Sequence, residues 1–300
     1  MTIELEEPIY TTDNIQVLKD LFGGTVGGIA QVLVGQPFDT VKVRLQSAPK
    51  GTYSGTLDVV RKLISNEGFS GFFKGTLMPL VGVGACVSVQ FSVNEYMKRL
   101  YHQNSDKKTL SLHEYFNCGI VAGFSNGFLA SPIEHVRIRL QTQSGVKRDY
   151  AGPLDCLKKI YKASGLYHGI FRGLSSTLFR EAFGLGSYFA TYEYFISKEM
   201  HRYQIERKDI SSWRLCLFGA LSGYSLWLVI YPVDVIKSVI QTSPLTKKSS
   251  FGTTFNVAKF LWQTYGLRGF YKGYLATLLR AAPANGATFG AFEVTMRMIN

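Results

Sequence analysis

Four stretches of this 300-residue chain carry no charged side chain: Leu21–Phe38, Gly75–Asn94, Tyr115–Ile133 and Leu215–Val233. Each has 18–20 residues, about 27–30 Å as α-helix, enough to cross the hydrocarbon core of a bilayer. None is uniformly greasy. Gly, Ser and Gln recur inside them, a texture suited to helices packed around a polar interior. Gly23/Gly27, Gly119/Gly123/Gly127 and Gly219/Gly223 repeat at four-residue spacing, which lets helix backbones approach closely on one face. Between the uncharged runs, segments near 57–65, 154–163 and 254–264 interleave bases with apolar residues, as in Arg61/Lys62 and Lys158/Lys159. These read as short amphipathic helices.

The chain also repeats itself. Three uncharged runs end in proline, followed by an acid two residues on and a base three further. The copies are Pro37-Phe38-Asp39-Thr40-Val41-Lys42, Pro132-Ile133-Glu134-His135-Val136-Arg137 and Pro232-Val233-Asp234-Val235-Ile236-Lys237. Gln46, Gln141 and Gln241 stand four residues beyond each base, and the prolines are 95 and 100 residues apart. A second element follows each copy and ends in aromatic-base-glycine: Phe73-Lys74-Gly75, Phe171-Arg172-Gly173 and Tyr271-Lys272-Gly273. Periodic self-similarity of this kind marks a repeat architecture. It predicts helices over about 16–45, 75–100, 112–142, 173–200, 212–241 and 273–298, with prolines kinking the odd-numbered ones.

Charge near a membrane interior needs a partner or water. Acid and base three apart on one helix share a face, so local pairing is one solution. Pairing around a ring, each acid with a neighbouring repeat's base, is the other.

The triplicate proline-acid-base element with its aromatic-base-glycine partner resembles the mitochondrial carrier family over essentially the whole chain. That resemblance implies an all-α membrane protein: six transmembrane helices in three pseudo-threefold repeats, each with a short amphipathic matrix-side helix. The expected organisation is an acidic tail over 1–14 and repeats over 15–105, 106–205 and 206–300. It implies a monomer in the mitochondrial inner membrane, both termini facing the intermembrane space, with inner-membrane lipid, cardiolipin above all, as a partner. It also favours the ring, with Asp39–Arg137, Glu134–Lys237 and Asp234–Lys42 as a matrix gate and Gln46, Gln141 and Gln241 as braces across the pairs. The family's second gate belongs at the ends of the even helices. Here Glu95 and Lys98 keep acid and base but lack the aromatic; Tyr192-Glu193 and Phe292-Glu293 have Ile196 and Met296 where the base belongs. Lys198 and Arg297 lie nearby, out of register.

Interior charges on the even helices stand out against this frame. Arg180-Glu181 and Arg280 lie 12 or 13 residues before the terminal acids Glu193 and Glu293, about 18–20 Å along the axis. That depth is near mid-membrane, where ionised groups mark substrate pathways. Gly82 holds the corresponding place before Glu95. These positions match the family's contact points. The Arg-acid pair, together with Arg280-Ala281-Ala282-Pro283-Ala284-Asn285, resembles its amino-acid and carnitine branch, closest to fungal carriers associated with glycine or glutamate. Gly82, Arg180, Glu181 and Arg280 sum to one positive charge. An acidic amino acid therefore fits first, small zwitterions second and ornithine-type substrates last. Carnitine or acylcarnitine is the main alternative, and a non-transporting membrane scaffold is the reading from another class.

Composition narrows the remaining classes. Hydrophobic residues make up 46% and charged ones 18%, which excludes a disordered chain. Cys86, Cys118, Cys156 and Cys216 lie far apart with no metal-ligand spacing, and neither a phosphate-cradling nor a hydrolase motif occurs, so neither cofactor, metal nor enzyme activity is expected. The net charge of +12 falls at repeat junctions, which suits lipid headgroups better than nucleic acid. Glu4, Glu6, Glu7 and Asp13 precede the first lysine, Lys19, so no cleavable presequence is expected.

Overall fold

Each repeat runs long helix, short helix, long helix. The computed structural model describes residues 14–103, 110–143, 149–245 and 254–299; most of the expected acidic tail lies outside them. The first repeat comprises α1 (Asn14–Ser47), α2 (Thr56–Glu67) and α3 (Leu77–Gln103). The second comprises α4 (Leu112–Thr142), α5 (Pro153–Ser164) and α6 (Leu174–Tyr203). The third comprises α7 (Ser212–Thr242), α8 (Thr254–Tyr265) and α9 (Tyr274–Ile299). No strand occurs among the described residues.

Local chemistry sets the helix ends. Ser111 caps α4 in a reciprocal box with Glu114, its backbone N–H donating to Oε2 at 2.6 Å. Pro153 opens α5, where its missing N–H is no loss. The glycine closing each aromatic-base-glycine element adopts a positive φ, 79° at Gly75 and 80° at Gly173 and Gly273. That conformation admits the chain into the next long helix at no steric penalty only for glycine. Each also packs on the following repeat: a Cβ would stand 3.0 Å from the Arg137 carbonyl at Gly75, and 3.3 Å from the Lys42 carbonyl at Gly273.

The distribution of polarity is inverted relative to a water-soluble bundle. Gln36, Lys42, Asn126, Asp234, Lys237 and Gln241 are buried, while Phe22, Phe91, Phe124, Leu228 and Leu279 are exposed. An apolar exterior around a polar interior is the arrangement a bilayer selects. Among the described residues, length and composition alone qualify one helix as a span, Trp213–Thr242 at mean hydropathy 1.5. The bent pair Phe69–Gly82 and Gly84–Gln103 qualifies together. The other long helices dilute their apolar outer face with inward polar residues, so a window average understates them. Pro37, Pro132 and Pro232 sit within α1, α4 and α7, and each helix continues through its proline.

The glycine ladders are used unequally. Gly119 and Gly123 bring α4 against the α6 backbone at Leu185–Gly186 and Glu181–Ala182. Gly223 of α7 faces open space, so there the four-residue spacing makes room rather than contact. Cys118 and Cys156 are buried and Cys86 half-buried. Burial in α5 pushes the Cys156 thiol up to about 12.

Gly123→Leu should separate α4 from α6, because its Cβ would enter the Glu181 carbonyl. Overpacking of this kind costs about 1–3 kcal/mol or more. A clear drop in the thermal unfolding midpoint of purified protein is expected; an unchanged midpoint would refute the close packing.

Candidate functional site

The ring of charges forms between repeats, not within helices. Asp39 Oδ2 of α1 accepts from Arg137 Nη2 of α4 at 2.7 Å. Glu134 of α4 accepts from Lys237 Nζ of α7, and Asp234 of α7 pairs with Lys42 Nζ of α1 at 2.7 Å. Every acid thus reaches the next repeat's base, and the cycle closes. Lys42, Asp234 and Lys237 are all buried, and Lys42 Nζ also lies 4.5 Å from the Trp227 ring centroid.

The glutamines behave differently from one another. Gln46 Nε2 donates to Asp234 Oδ2 at 3.2 Å and approaches the Tyr231 hydroxyl at the same distance. Gln141 instead reaches Thr40 Oγ1 at 3.4 Å, and the side-chain atoms of Gln241 have no hydrogen-bond partner. The expected bracing of all three pairs is therefore corrected to one. Gln36, which the repeat pattern did not single out, supports Arg137 by accepting from Nη2 at 2.8 Å. It also donates to the Lys74 carbonyl at 2.9 Å.

Beneath the ring lies a second layer. Lys74 reaches the Gln143 carbonyl at 3.3 Å, Arg172 donates to the Ile240 carbonyl at 3.0 Å, and Lys272 reaches the Ala48 carbonyl at 3.4 Å. Each base of the aromatic-base-glycine element thus holds the following odd helix by its C-terminal carbonyls. In the first repeat Glu67 joins this layer, accepting from Arg44 at 2.5 and 2.8 Å and from Lys74 at 2.6 Å. Burial alone would raise the Glu67 carboxyl, but these hydrogen bonds outweigh it and hold it below its usual range. His135 is buried with Nδ1 facing the Ile170 carbonyl at 3.2 Å, and Arg139 Nε donates to its Nε2 at 2.7 Å.

The mid-helix charges meet the ring directly. Arg180 Nη2 donates to Glu134 Oε1 at 2.7 Å, pairs with Glu181, and has Asp234 Oδ1 3.9 Å from its Nε. Asn126, missed from sequence although it is one of two amides within an uncharged run, donates to Glu181 Oε2 at 2.9 Å. Arg280 Nε lies 3.1 Å from Asp39 Oδ1, an ion contact not aligned as a hydrogen bond, so that Nε has no hydrogen-bond partner. Gly35 of α1 makes room for it: a Cβ there would stand 2.8 Å from Arg280 Nε. Gly82, by contrast, is buried against Ile133 of α4, 2.8 Å from Cδ1 for an added Cβ. It is a helix-packing position in this state.

Arg280 forms part of the wall of a cavity of about 670 Å³ between α6, α7 and α9, with Tyr188, Tyr192, Tyr224, Trp227 and Asn285 around it. Tyr188 and Tyr192 stack with centroids 6.3 Å apart. At the far ends of the even helices the acids pair locally. Glu95 takes Lys98 three residues on at 2.8 Å, Glu293 takes Arg297 four residues on at 2.8 Å, and Glu193 takes Arg207 of the following connection at 3.0 Å. The side chain of Phe292 lies outside those described. Among the described residues no ion pair joins the ends of two even helices, so only the ring at the short-helix end is closed.

Three related helix pairs, closed at one end by a cyclic ring of charges beside an aromatic-lined cavity that holds an arginine, define a membrane transport protein built from repeats. The chain belongs to the mitochondrial carrier family: residues 13–105, 108–202 and 208–300 each match the family described as mitochondrial carrier protein. It is 56% identical to a mitochondrial glycine transporter of Saccharomyces cerevisiae, covering 96% of this chain and 93% of that protein. It is 46% identical to a glutamate/glycine mitochondrial carrier of Schizosaccharomyces pombe, covering 95% of each. Identity to the mitochondrial carnitine/acylcarnitine carrier protein of Homo sapiens is 37%, over 95% of this chain and 96% of that one.

Removing one partner of a buried pair strands the other charge, at about 3–5 kcal/mol, whereas replacing both by apolar groups is close to neutral. Lys42→Met and Asp234→Leu should each lower the unfolding midpoint in detergent, and the double variant should regain most of the loss. Additive losses would refute the pair.

Proposed function

We propose that this chain is an inner-membrane mitochondrial carrier of a small amino acid, glycine or glutamate, working by alternating access. The observation that carries the reading is that Arg280, on the cavity wall, and Arg180, paired with Glu181, both reach acids of the closed ring. An arginine grips a carboxylate through a planar fork of donors, and Glu181 with Asn126 beside it offers acceptors for an ammonium. Among the nine charged groups of ring and site, five are basic and four acidic. That leaves one positive charge, which a glutamate anion neutralises and a glycine zwitterion tolerates. A dibasic amino acid would add cations to a site already in excess, a mismatch expensive to bury.

In this reading the ring pairs are the matrix gate, seen closed, and the locally paired Glu95, Glu193 and Glu293 belong to a cytoplasmic gate, seen open. Desolvation offsets much of each pair's attraction, so closure is worth only a few kcal/mol. That range is one ligand binding can tip. Gln46 acts as a gate brace on Asp234. The carrier works as a monomer with its positive, short-helix end against anionic lipid such as cardiolipin, and performs no enzymatic step. A carnitine-type substrate is the second reading, favoured by Tyr188, Tyr192 and Trp227 on the cavity wall, since aromatic faces attract quaternary ammonium groups.

Purified protein in liposomes decides between them. Exchange of glycine or glutamate should exceed that of carnitine and ornithine at matched pH, and Arg280→Ala and Arg180→Ala should each reduce uptake at least about 100-fold while folding is retained. Faster ornithine or carnitine exchange, or near-normal uptake by a folded arginine variant, would overturn the assignment.

A further inference from the structure

Both arginines assigned to substrate are already occupied, and by acids of the ring. Arg280 lies against Asp39, 3.1 Å from Nε to Oδ1. Arg180 Nη2 lies 2.7 Å from Glu134 Oε1. Neither acid belongs exclusively to its ring base: Asp39 divides its oxygens between Arg137 and Arg280, and Glu134 divides its own between Lys237 and Arg180. The two carboxylates thus stand where a substrate carboxylate would have to go.

The geometry points to Asp39 and Glu134 as internal competitors for the substrate's carboxylate, and hence as residues that set which solutes are moved. This rests on the amino-acid reading above. A solute carboxylate approaching from the cavity meets Arg280 first, because that side chain lines the wall and its contact with Asp39 is off the hydrogen-bond axis. The incoming carboxylate takes the fork of donors, and Asp39 is left with Arg137 alone. The exchange conserves charge: one carboxylate replaces another on the same guanidinium, and no proton moves. A neutral amide of similar shape cannot make this replacement, so it leaves the ring acids in place. Selection for a free carboxylate is thereby built into the ring itself. A second carboxylate, as in glutamate, can repeat the exchange at Arg180 and release Glu134 as well.

The consequence is a difference of sign between two variants that break the same ring pair. Asp39→Asn removes the competitor and frees Arg280, so glycine should bind about tenfold more tightly. Arg137→Gln breaks the same pair but leaves Asp39 with Arg280 as its remaining partner, so glycine should bind more weakly. Glu134→Gln and Lys237→Met form a second such couple around Arg180, read with glutamate, in case one of the first variants does not fold. Binding to the purified full-length protein would be measured by calorimetry for glycine, glutamate and glycinamide, with thermal unfolding to verify folding. Opposite shifts within a couple for the carboxylates, with glycinamide not following, support the inference. Shifts of the same sign in both members, as a ring serving only as a latch would give, overturn it, as does glycinamide shifting in parallel with glycine. Wild-type protein that binds neither glycine nor glutamate would instead overturn the amino-acid reading itself.

Discussion

Burying charge in a membrane protein is expensive unless each group meets its complement, and this one requirement organises the molecule. Asp39, Glu134 and Asp234 each find a base only on another repeat. A repeat taken alone would leave both its ring acid and its ring base without the partners they have here, at the depth where water is scarce. The three repeats therefore cannot close independently: satisfying the first acid fixes α4 against α1, the second fixes α7 against α4, and the third returns to α1. Pseudo-threefold closure leaves none of the six ring charges without its partner.

The same economy explains why the glycines recur where they do. A ring pair forms at 2.7 Å only if the connection into the next long helix passes close beneath it. The positive φ at Gly75, Gly173 and Gly273 supplies that passage. Their α-carbons rest on the odd helix of the following repeat, beside the residues that form the ring. Motif and geometry are thus one device, with the base before each glycine holding the carbonyls just below. Higher up, Gly35 clears the space through which Arg280 reaches Asp39.

Much of this was legible in the residues because it repeats. Three copies of proline-acid-base announce an architecture that no single copy could, and the ranges expected from the repeat meet the six long helices to within three residues at each end. Repetition also misled. It suggested three equivalent braces, whereas Gln46, Gln141 and Gln241 meet different neighbours. Equivalence by position led to Gly82 as a third contact point, and the structure packs it on Ile133 instead. What could not be read were the contacts that occur once. Asn126 with Glu181, Gln36 with Arg137 and Gly35 with Arg280 depend on which helix faces turn together, and spacing along one chain does not encode that. The contact between the arginines and the ring acids belongs to the same kind. Sequence placed them at different depths, but an arginine is long enough to bridge the interval.

Departures from symmetry are distributed so that no junction is left weak. Between the first and second repeats, Arg137 has Gln36 above it, and Arg44, Glu67 and Lys74 form a charged clasp on the end of α4. The second junction lacks the acid, since Ser164 stands where the first repeat has Glu67, and Gln241 gives its pair no hydrogen bond. It compensates with two arginines: Arg139 donates to the Ser243 carbonyl at 2.8 Å, and Arg172 to its hydroxyl at 2.5 Å. The third has Val239 in the place of Arg44 and Arg139, and two lysine contacts, Lys272 at 3.4 Å to the Ala48 carbonyl and Lys50 at 3.2 Å to the Thr264 carbonyl. There the ring pair itself is the best supported, with Gln46 bonded to Asp234 and Lys42 set over Trp227. Support therefore lies in the outer layer at the first two junctions and in the ring at the third, so the three junctions are not equivalent. Arg280 touches Asp39 and Arg180 touches Glu134, at the two junctions whose ring pairs Gln46 does not brace, while Asp234 stands farther from Arg180, at 3.9 Å. The third pair is held by groups that touch neither of those two acids: Gln46 on Asp234 and the Trp227 ring beside Lys42.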